Sequence, residues 1–269
     1  MIRIAGNVQN LDAEAALWPV IERSVYEKKR DSSAVYDYDS VKQLKFELAM
    51  RRRIVEESEA MQAGDARFAV FKESRCNEDY WVRTEEGGFK LKEGVLPADA
   101  INDIYKNAGL YAFECATAIV IVLYKATLDS IGDAEFNRLF SGLKLRDWEY
   151  DDDLKLNKVE EADRKPMAGD VVYFKNPDVD PDAIEWQGEN TVVLGDDNYF
   201  GHGIGIVPSR KIIDKLNSHR KKYSTVTAYL MDGYVEPGYR YLSQFAGNER
   251  TSADIMAVIG GRTYRIRVR

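Results

Sequence analysis

The stretch that decides the fold is Phe113-Glu-Cys-Ala-Thr-Ala-Ile-Val-Ile-Val-Leu-Tyr-Lys-Ala-Thr-Leu-Asp-Ser-Ile-Gly132. It contains no proline, and Gly132 gives it a natural stop, so it is expected to be a helix from about Phe113 to Ile131. The segment Ala116–Tyr124 is apolar nearly all round, which marks a helix enclosed by protein on every side. It is far too short to span a bilayer. A lone cysteine in an apolar run is ordinarily a small core residue. Cys115, however, falls in the first turn, where unpaired backbone N–H groups and the positive end of the helix dipole favour thiolate. Thiolate is the attacking species of a cysteine nucleophile, and the same N–H groups suit the oxyanion of an acyl transfer.

Before this helix the spacing predicts a strand at Ile2–Ala5, a polar stretch around Pro19, and a long helix over Ser40–Met61 capped by Ser40. Strands are expected at Arg67–Lys72 and Tyr80–Arg83, then a turn into Phe89–Leu91. Pro97 begins a helix that runs to about Asn107. After Gly132 an amphipathic helix over Asp133–Leu143 leads into a charged loop, Asp151–Pro166. The period then changes. Asp170–Lys175, Asn190–Leu194 and Tyr199–Val207 are strand candidates, the last two joined by a turn at Gly195–Asn198. A helix over Lys211–Lys222 and a closing strand, Arg262–Val268, complete the pattern. Helices first and antiparallel strands later predict an α+β fold, with the cysteine helix packed on an antiparallel sheet. One domain over residues 1–269 is expected, with 1–34 and 232–269 peripheral.

Composition narrows the chemistry. The 269 residues carry a net charge of −7, against a general electrostatic mode of nucleic-acid binding. The short basic runs Arg51–Arg53 and Arg220–Lys222 are expected to be solvated helix faces. No signal-peptide pattern opens the chain, so it is expected to stay on the side of the membrane where it is made. Two cysteines, Cys76 and Cys115, and two histidines, His202 and His219, exclude a disulfide framework and show no metal-ligand spacing. Cys76 is taken as incidental and His219 as part of a solvated helix face. Asp178–Asp182 mimics a calcium loop but has Ala183 where glycine is required and Pro181 within it. Gly201–Gly205 lacks the register of a nucleotide loop.

A cysteine nucleophile needs a base. Glu189 and His202 are the candidates. A two-residue hairpin at Asp196–Asp197 places Thr191 opposite His202 and Glu189 on the same face as His202. A three-residue loop separates them.

Several blocks of this chain resemble one family. They are Tyr111-Ala-Phe-Glu-Cys-Ala-Thr-Ala-Ile-Val-Ile121, Arg146-Asp-Trp148, Asp170-Val-Val-Tyr-Phe-Lys-Asn-Pro177, Trp186-Gln-Gly-Glu-Asn190, Leu194-Gly-Asp-Asp-Asn-Tyr-Phe-Gly-His-Gly203 and Ile212-Ile-Asp-Lys-Leu-Asn-Ser218. Together they are similar to the protein-glutamine γ-glutamyltransferases of spore-forming bacilli, over roughly residues 35–230. The resemblance implies a papain-like, NlpC/P60-type core and isopeptide cross-linking of proteins in the spore coat. It implies Cys115 as nucleophile, Glu189 as main base, His202 as support and Glu114 as a second, assisting carboxylate. Phe68, Trp148 and Trp186 match aromatics of a substrate tunnel. It implies no calcium or other cofactor and protein partners bearing glutamine and lysine. A monomer acting on neither nucleic acid nor membrane is expected. Other readings of the same core are a cell-wall cysteine peptidase or amidase and a silent coat protein. The ends and the Asp151–Arg164 loop depart from the family pattern.

Overall fold

The structure, a computed structural model, describes residues 1–161 and 163–247 and the backbone of two strands, Asp254–Ile259 and Arg262–Arg267. The cysteine helix runs Cys115–Ile131, and every residue from Ala116 to Tyr124 is buried. It packs against a second long helix, Val41–Ala63, whose Ser40 cap accepts a hydrogen bond from the Gln43 N–H at 3.2 Å. Pro97 occupies the first turn of the Pro97–Lys106 helix. Phe136, Phe140 and Trp81 complete the apolar mass around the cysteine helix. Among the described residues no helix is long and apolar enough to cross a membrane.

The opposing layer is an antiparallel sheet. Its strands lie in the order Gly205–Pro208, Asn198–Gly201, Gly188–Gly195, Val171–Lys175, Tyr234–Glu236 and Asn157–Val159, and Tyr229–Leu230 also pairs with Val171–Lys175. Val171, Val192 and Phe200 face the cysteine helix and join its core. Val172, Phe174 and Val193 turn to the other side, where the Ser209–Asn217 helix covers them through Ile212 and Leu216. The molecule is thus a mixed α+β structure with its most apolar helix laid against an antiparallel sheet.

Several elements differ from expectation. The polar stretch after Pro19 is a twelve-residue helix, Val20–Asp31. Its buried stripe contains Lys29 beside Val25 and Tyr26, and a lysine there hides the apolar period. The strand expected at Arg67–Lys72 is reduced to Arg67–Phe68, followed by a 3-10 turn at Phe71–Glu73. Phe113 belongs to a short strand, Ala112–Phe113, paired in parallel with Arg67–Phe68. The helix after Gly132 ends at Leu139, and the later one covers Ser209–Asn217. The charged loop supplies Asn157–Val159, an edge strand of the main sheet; Ala162 within it lies outside the described residues. The closing strand is found over Arg262–Arg267, with Val268 outside the described residues.

The described parts of the two segments expected to be peripheral pack into the body of the protein. Ile2–Ile4 pairs in parallel with Tyr36–Tyr38, and Tyr26 is fully buried against the long helix. Tyr234–Glu236 pairs with Val171–Lys175 and Asn157–Val159, while Tyr239 and Leu242 enter the main core. Arg51 is not on a solvated face. At 1% exposure it donates to Glu47, Asp170 and Glu236 at 2.7, 2.7 and 2.6 Å. Lys29 donates to Glu47 at 2.5 Å, so two cations meet three carboxylates inside the protein. Of the other basic run, Lys221 pairs with Asp178 beyond the helix end.

Candidate active site

Cys115 occupies the first helical position, and Glu114 is the cap. The Glu114 carboxylate accepts the N–H groups of Ala116 and Thr117, each at 2.6 Å, and the Thr117 hydroxyl. Thr117 in turn accepts the Asp147 N–H at 2.9 Å, which ties the Arg146–Glu149 turn to the helix start. Two of the N–H groups expected to face the sulfur are therefore already filled, and by a charge opposite in sign to the dipole. Burial first, then the charges of Glu189 and Glu114, push the Cys115 thiol upward; hydrogen bonds from Asn190 oppose them. The resting group is a neutral thiol, contrary to the thiolate expected of a bare helix start. Cys76, pushed to about 11 by burial, is likewise neutral.

The sheet brings the other groups. Asn190 donates its side-chain amide to Cys115 Sγ at 3.7 Å. Glu189 is 3% exposed, and its Oε1 has no hydrogen-bond partner. Its carboxyl is raised well above the usual carboxylate range, chiefly by burial and then by Glu114. A carboxylate in that state holds a proton more tightly than one in water and is correspondingly a stronger base.

His202 stands elsewhere than predicted. The hairpin does have a two-residue loop, with Asp196 and Asp197 both at positive φ, but a bulge between Val193 and Gly195 shifts the register by one. Thr191 therefore pairs with Gly201, not with His202. The expected strand Tyr199–Val207 is broken at the same place. Gly203 adopts φ +95°, and a side chain there would also press on the Phe68 ring. His202 lies in the resulting turn, its ring stacked on Phe113 at 4.8 Å, with Phe68 at 6.2 Å. Burial lowers its pKa to about 4 against the pull of the Arg67 and Phe113 backbone, so it is neutral. It is not among the largest causes of the shift of the Cys115 thiol.

A cleft of about 360 Å³ opens onto the thiol. Phe68, 36% exposed, lines it together with Phe71, Ile184 and Glu185. Cys115, Glu114 and Asn190 line it; Trp148 and Trp186 are not among its lining residues. Trp148 packs on the main core beside the Asp147 turn. Trp186 lies flat on His219 at 4.2 Å with the Lys215 ammonium 4.4 Å from its ring, so His219 is partly covered rather than free in solvent. Gln187 and Glu185, its neighbours, reach the cleft instead. Asn190, Asp147 and Tyr173 are cleft residues that the sequence reading did not single out, although all three sit inside the motif blocks. Among the described residues no group of three or more His, Cys, Asp or Glu side chains is placed to hold a metal ion. The calcium-loop mimic is occupied otherwise: Asp178 pairs with Lys221, and Asp180 caps the Pro181–Trp186 turn.

Comparison with known proteins places this geometry. Residues 1–246 match the family model described as protein-glutamine gamma-glutamyltransferase. A protein-glutamine gamma-glutamyltransferase of Halalkalibacterium halodurans is 44% identical over 230 residues, 86% of this chain and 80% of that one. The protein of the same name from Bacillus subtilis is 40% identical over 225 residues, 84% of this chain and 89% of that one. The solved transglutaminase of Geobacillus stearothermophilus, without its C-terminal extension, superposes with a TM-score of 0.74 at 51% identity. That match covers 77% of this chain and 98% of the solved one. The chain that carries Cys115 in this cleft thus belongs to the protein-glutamine γ-glutamyltransferase family.

Proposed function

We propose that this chain cross-links proteins through ε-(γ-glutamyl)lysine bonds by way of a thioester on Cys115, without calcium. The observation that carries the reading is a neutral thiol lining a cleft, raised by a buried carboxylate, Glu189, that lies behind the lining and has no cation partner among the described residues. Glu189 takes the thiol proton as sulfur attacks the carboxamide carbon of a bound glutamine. The same proton then goes to the departing nitrogen, and ammonia leaves. A lysine amine opens the thioester, losing a proton to Glu189 as the isopeptide forms, and the C–S bond breaks with that proton returned to the Cys115 sulfur. No step calls on a metal ion. Glu114, committed to the cap, acts by keeping the sulfur protonated until substrate arrives. His202 supports by packing, holding Phe113 and Phe68 at the wall of the cleft. Phe68 and Phe71 limit water, the competing acceptor. Trp148 and Trp186 act from behind, through the Asp147 turn and the Glu185–Gln187 segment.

The core is of the papain-like, NlpC/P60 type within one domain, and the partners are coat proteins presenting glutamine and lysine in the spore. The enzyme works as a monomer, outside any membrane and away from nucleic acid. The experiment is incubation of purified protein with a glutamine-bearing protein and a fluorescent primary amine, with a chelator present. Wild type is expected to incorporate the amine, and Cys115→Ala to lose at least about 10⁴-fold in rate. Deamidation or peptide cleavage without amine incorporation makes water the acceptor and the protein a hydrolase. Unchanged incorporation by Cys115→Ala ends the proposal.

A further inference from the structure

The attack of Cys115 puts a negative charge on the carboxamide oxygen, and two of the helix-start N–H groups that ordinarily receive such a charge, those of Ala116 and Thr117, are occupied by Glu114. A donor besides the Cys115 N–H must face that oxygen. We infer that the Tyr173 hydroxyl is the donor, held over the cleft by the glycine at position 188. The inference rests on the acyl-transfer reading above.

Three observations carry it. Tyr173 and Asn190 are directly opposed in the antiparallel pair Val171–Lys175 with Gly188–Gly195, so their side chains share a face. Asn190 on that face already touches the sulfur, and both residues line the cleft with Cys115. The hydroxyl is seated by a missing side chain: a Cβ on Gly188 would fall 2.0 Å from Tyr173 Oη and 2.2 Å from the carbon that bears it. The phenol thus lies directly against the backbone next to Glu189. Burial and the neighbouring Cys115 and Glu189 charges push it up to about 12, and no hydrogen bond contributes. It is a protonated donor with its proton uncommitted.

The division of labour is then plain. Asn190 holds the sulfur. As the S–C bond forms, the π pair of the carbonyl moves to oxygen and Tyr173 donates a hydrogen bond to it without giving up the proton. When the pair returns, the C–N bond breaks and ammonia departs with the proton carried by Glu189. The oxyanion formed when lysine attacks the thioester meets the same hydroxyl.

The test compares wild type with Tyr173→Phe and Asn190→Ala in the amine-incorporation assay, alongside alkylation of Cys115 by iodoacetamide as a function of pH and thermal unfolding. Tyr173→Phe is expected to lower kcat about 10²-fold with little change in KM for the glutamine protein. Its alkylation profile and unfolding temperature stay at wild-type values, because the hydroxyl does not act on the free thiol. Asn190→Ala shifts the alkylation profile to higher pH. A Tyr173→Phe enzyme within threefold of wild-type kcat overturns the inference. So does a loss of activity matched by a shifted alkylation profile or a lowered unfolding temperature, which assigns Tyr173 to thiol tuning or packing. Failure of the wild type itself to incorporate amine, by contrast, counts against the acyl-transfer reading on which the inference rests.

Discussion

Two regions of this protein bury carboxylates to nearly the same depth and treat them in opposite ways. In the ion cluster between the N-terminal helix, the long helix and the sheet, Glu47 touches both Lys29 and Arg51, and its pKa falls to about 2. Asp170 and Glu236 there each touch Arg51 alone; burial outweighs that one cation, and Glu236 rises to about 7. Behind the cleft, Glu189 has no cation partner among the described residues and is raised well above the carboxylate range by burial and by Glu114. The series runs from two cations through one to none. Desolvation is a comparable cost at each position, and the number of cations decides whether it becomes an anchored ion or a base seeking a proton.

The sharpest way to break this contrast is to remove the cation that defines one side of it. Arg51→Ala leaves Glu47, Asp170 and Glu236 with Lys29 alone and is expected to cost about 3–5 kcal/mol by urea unfolding at neutral pH. The loss shrinks as pH falls, because the stranded carboxyls then take up protons. A loss under about 1 kcal/mol would mean that the cluster relaxes to water and the two regions are not alike in burial.

The opposite side is tested by Glu189→Gln. Amine incorporation is expected to fall roughly 10²–10⁴-fold, while the fold gains on the order of 1–2 kcal/mol at neutral pH. The sign follows from the raised carboxyl. The native state binds the proton more tightly than the unfolded chain, so wild-type stability is fullest below the unfolded pKa and is lost as pH rises through the folded one. The gain in the variant therefore disappears in acid. The same raised value places the acid limb of wild-type activity above the ordinary carboxylate range. A variant both inactive and less stable at neutral pH would make Glu189 a structural ion.

The smallest effect belongs to the intermediate member. Glu236→Gln keeps an oxygen for Arg51 and is expected to change stability by less than about 1 kcal/mol, removing a decline that wild type shows as pH rises toward 7. Unfolding titrations from pH 4 to 8 distinguish the two proteins.

What the sequence disclosed was whatever one local segment carries by itself. The cysteine helix, the Ser40 cap and the Pro97 start are written in consecutive residues, and so is the place of Cys115 and Glu114 at a helix start. What escaped depends on segments meeting. Arg51 looks like a surface charge until Glu47, Asp170 and Glu236 close around it. Lys29 breaks the stripe that would have disclosed the Val20–Asp31 helix. The bulge between Val193 and Gly195 moves His202 by one register, and no residue type there announces a bulge. Tyr173 and Asn190 become neighbours only once two strands are aligned. Glu114 was noticed as a carboxylate, but its geometry as a cap, which changes its chemistry, was not legible from its position alone.

That cap also bears on how long the enzyme lasts. Peroxide and disulfides consume thiolate far faster than thiol, so a sulfur kept protonated between two carboxylates is a poor target for both. By spending the first-turn N–H groups on Glu114, the protein gives up a permanently activated nucleophile and gains a durable one. On the proposed mechanism the bound substrate switches its reactivity on, and until then the protonated sulfur is expected to oxidise slowly.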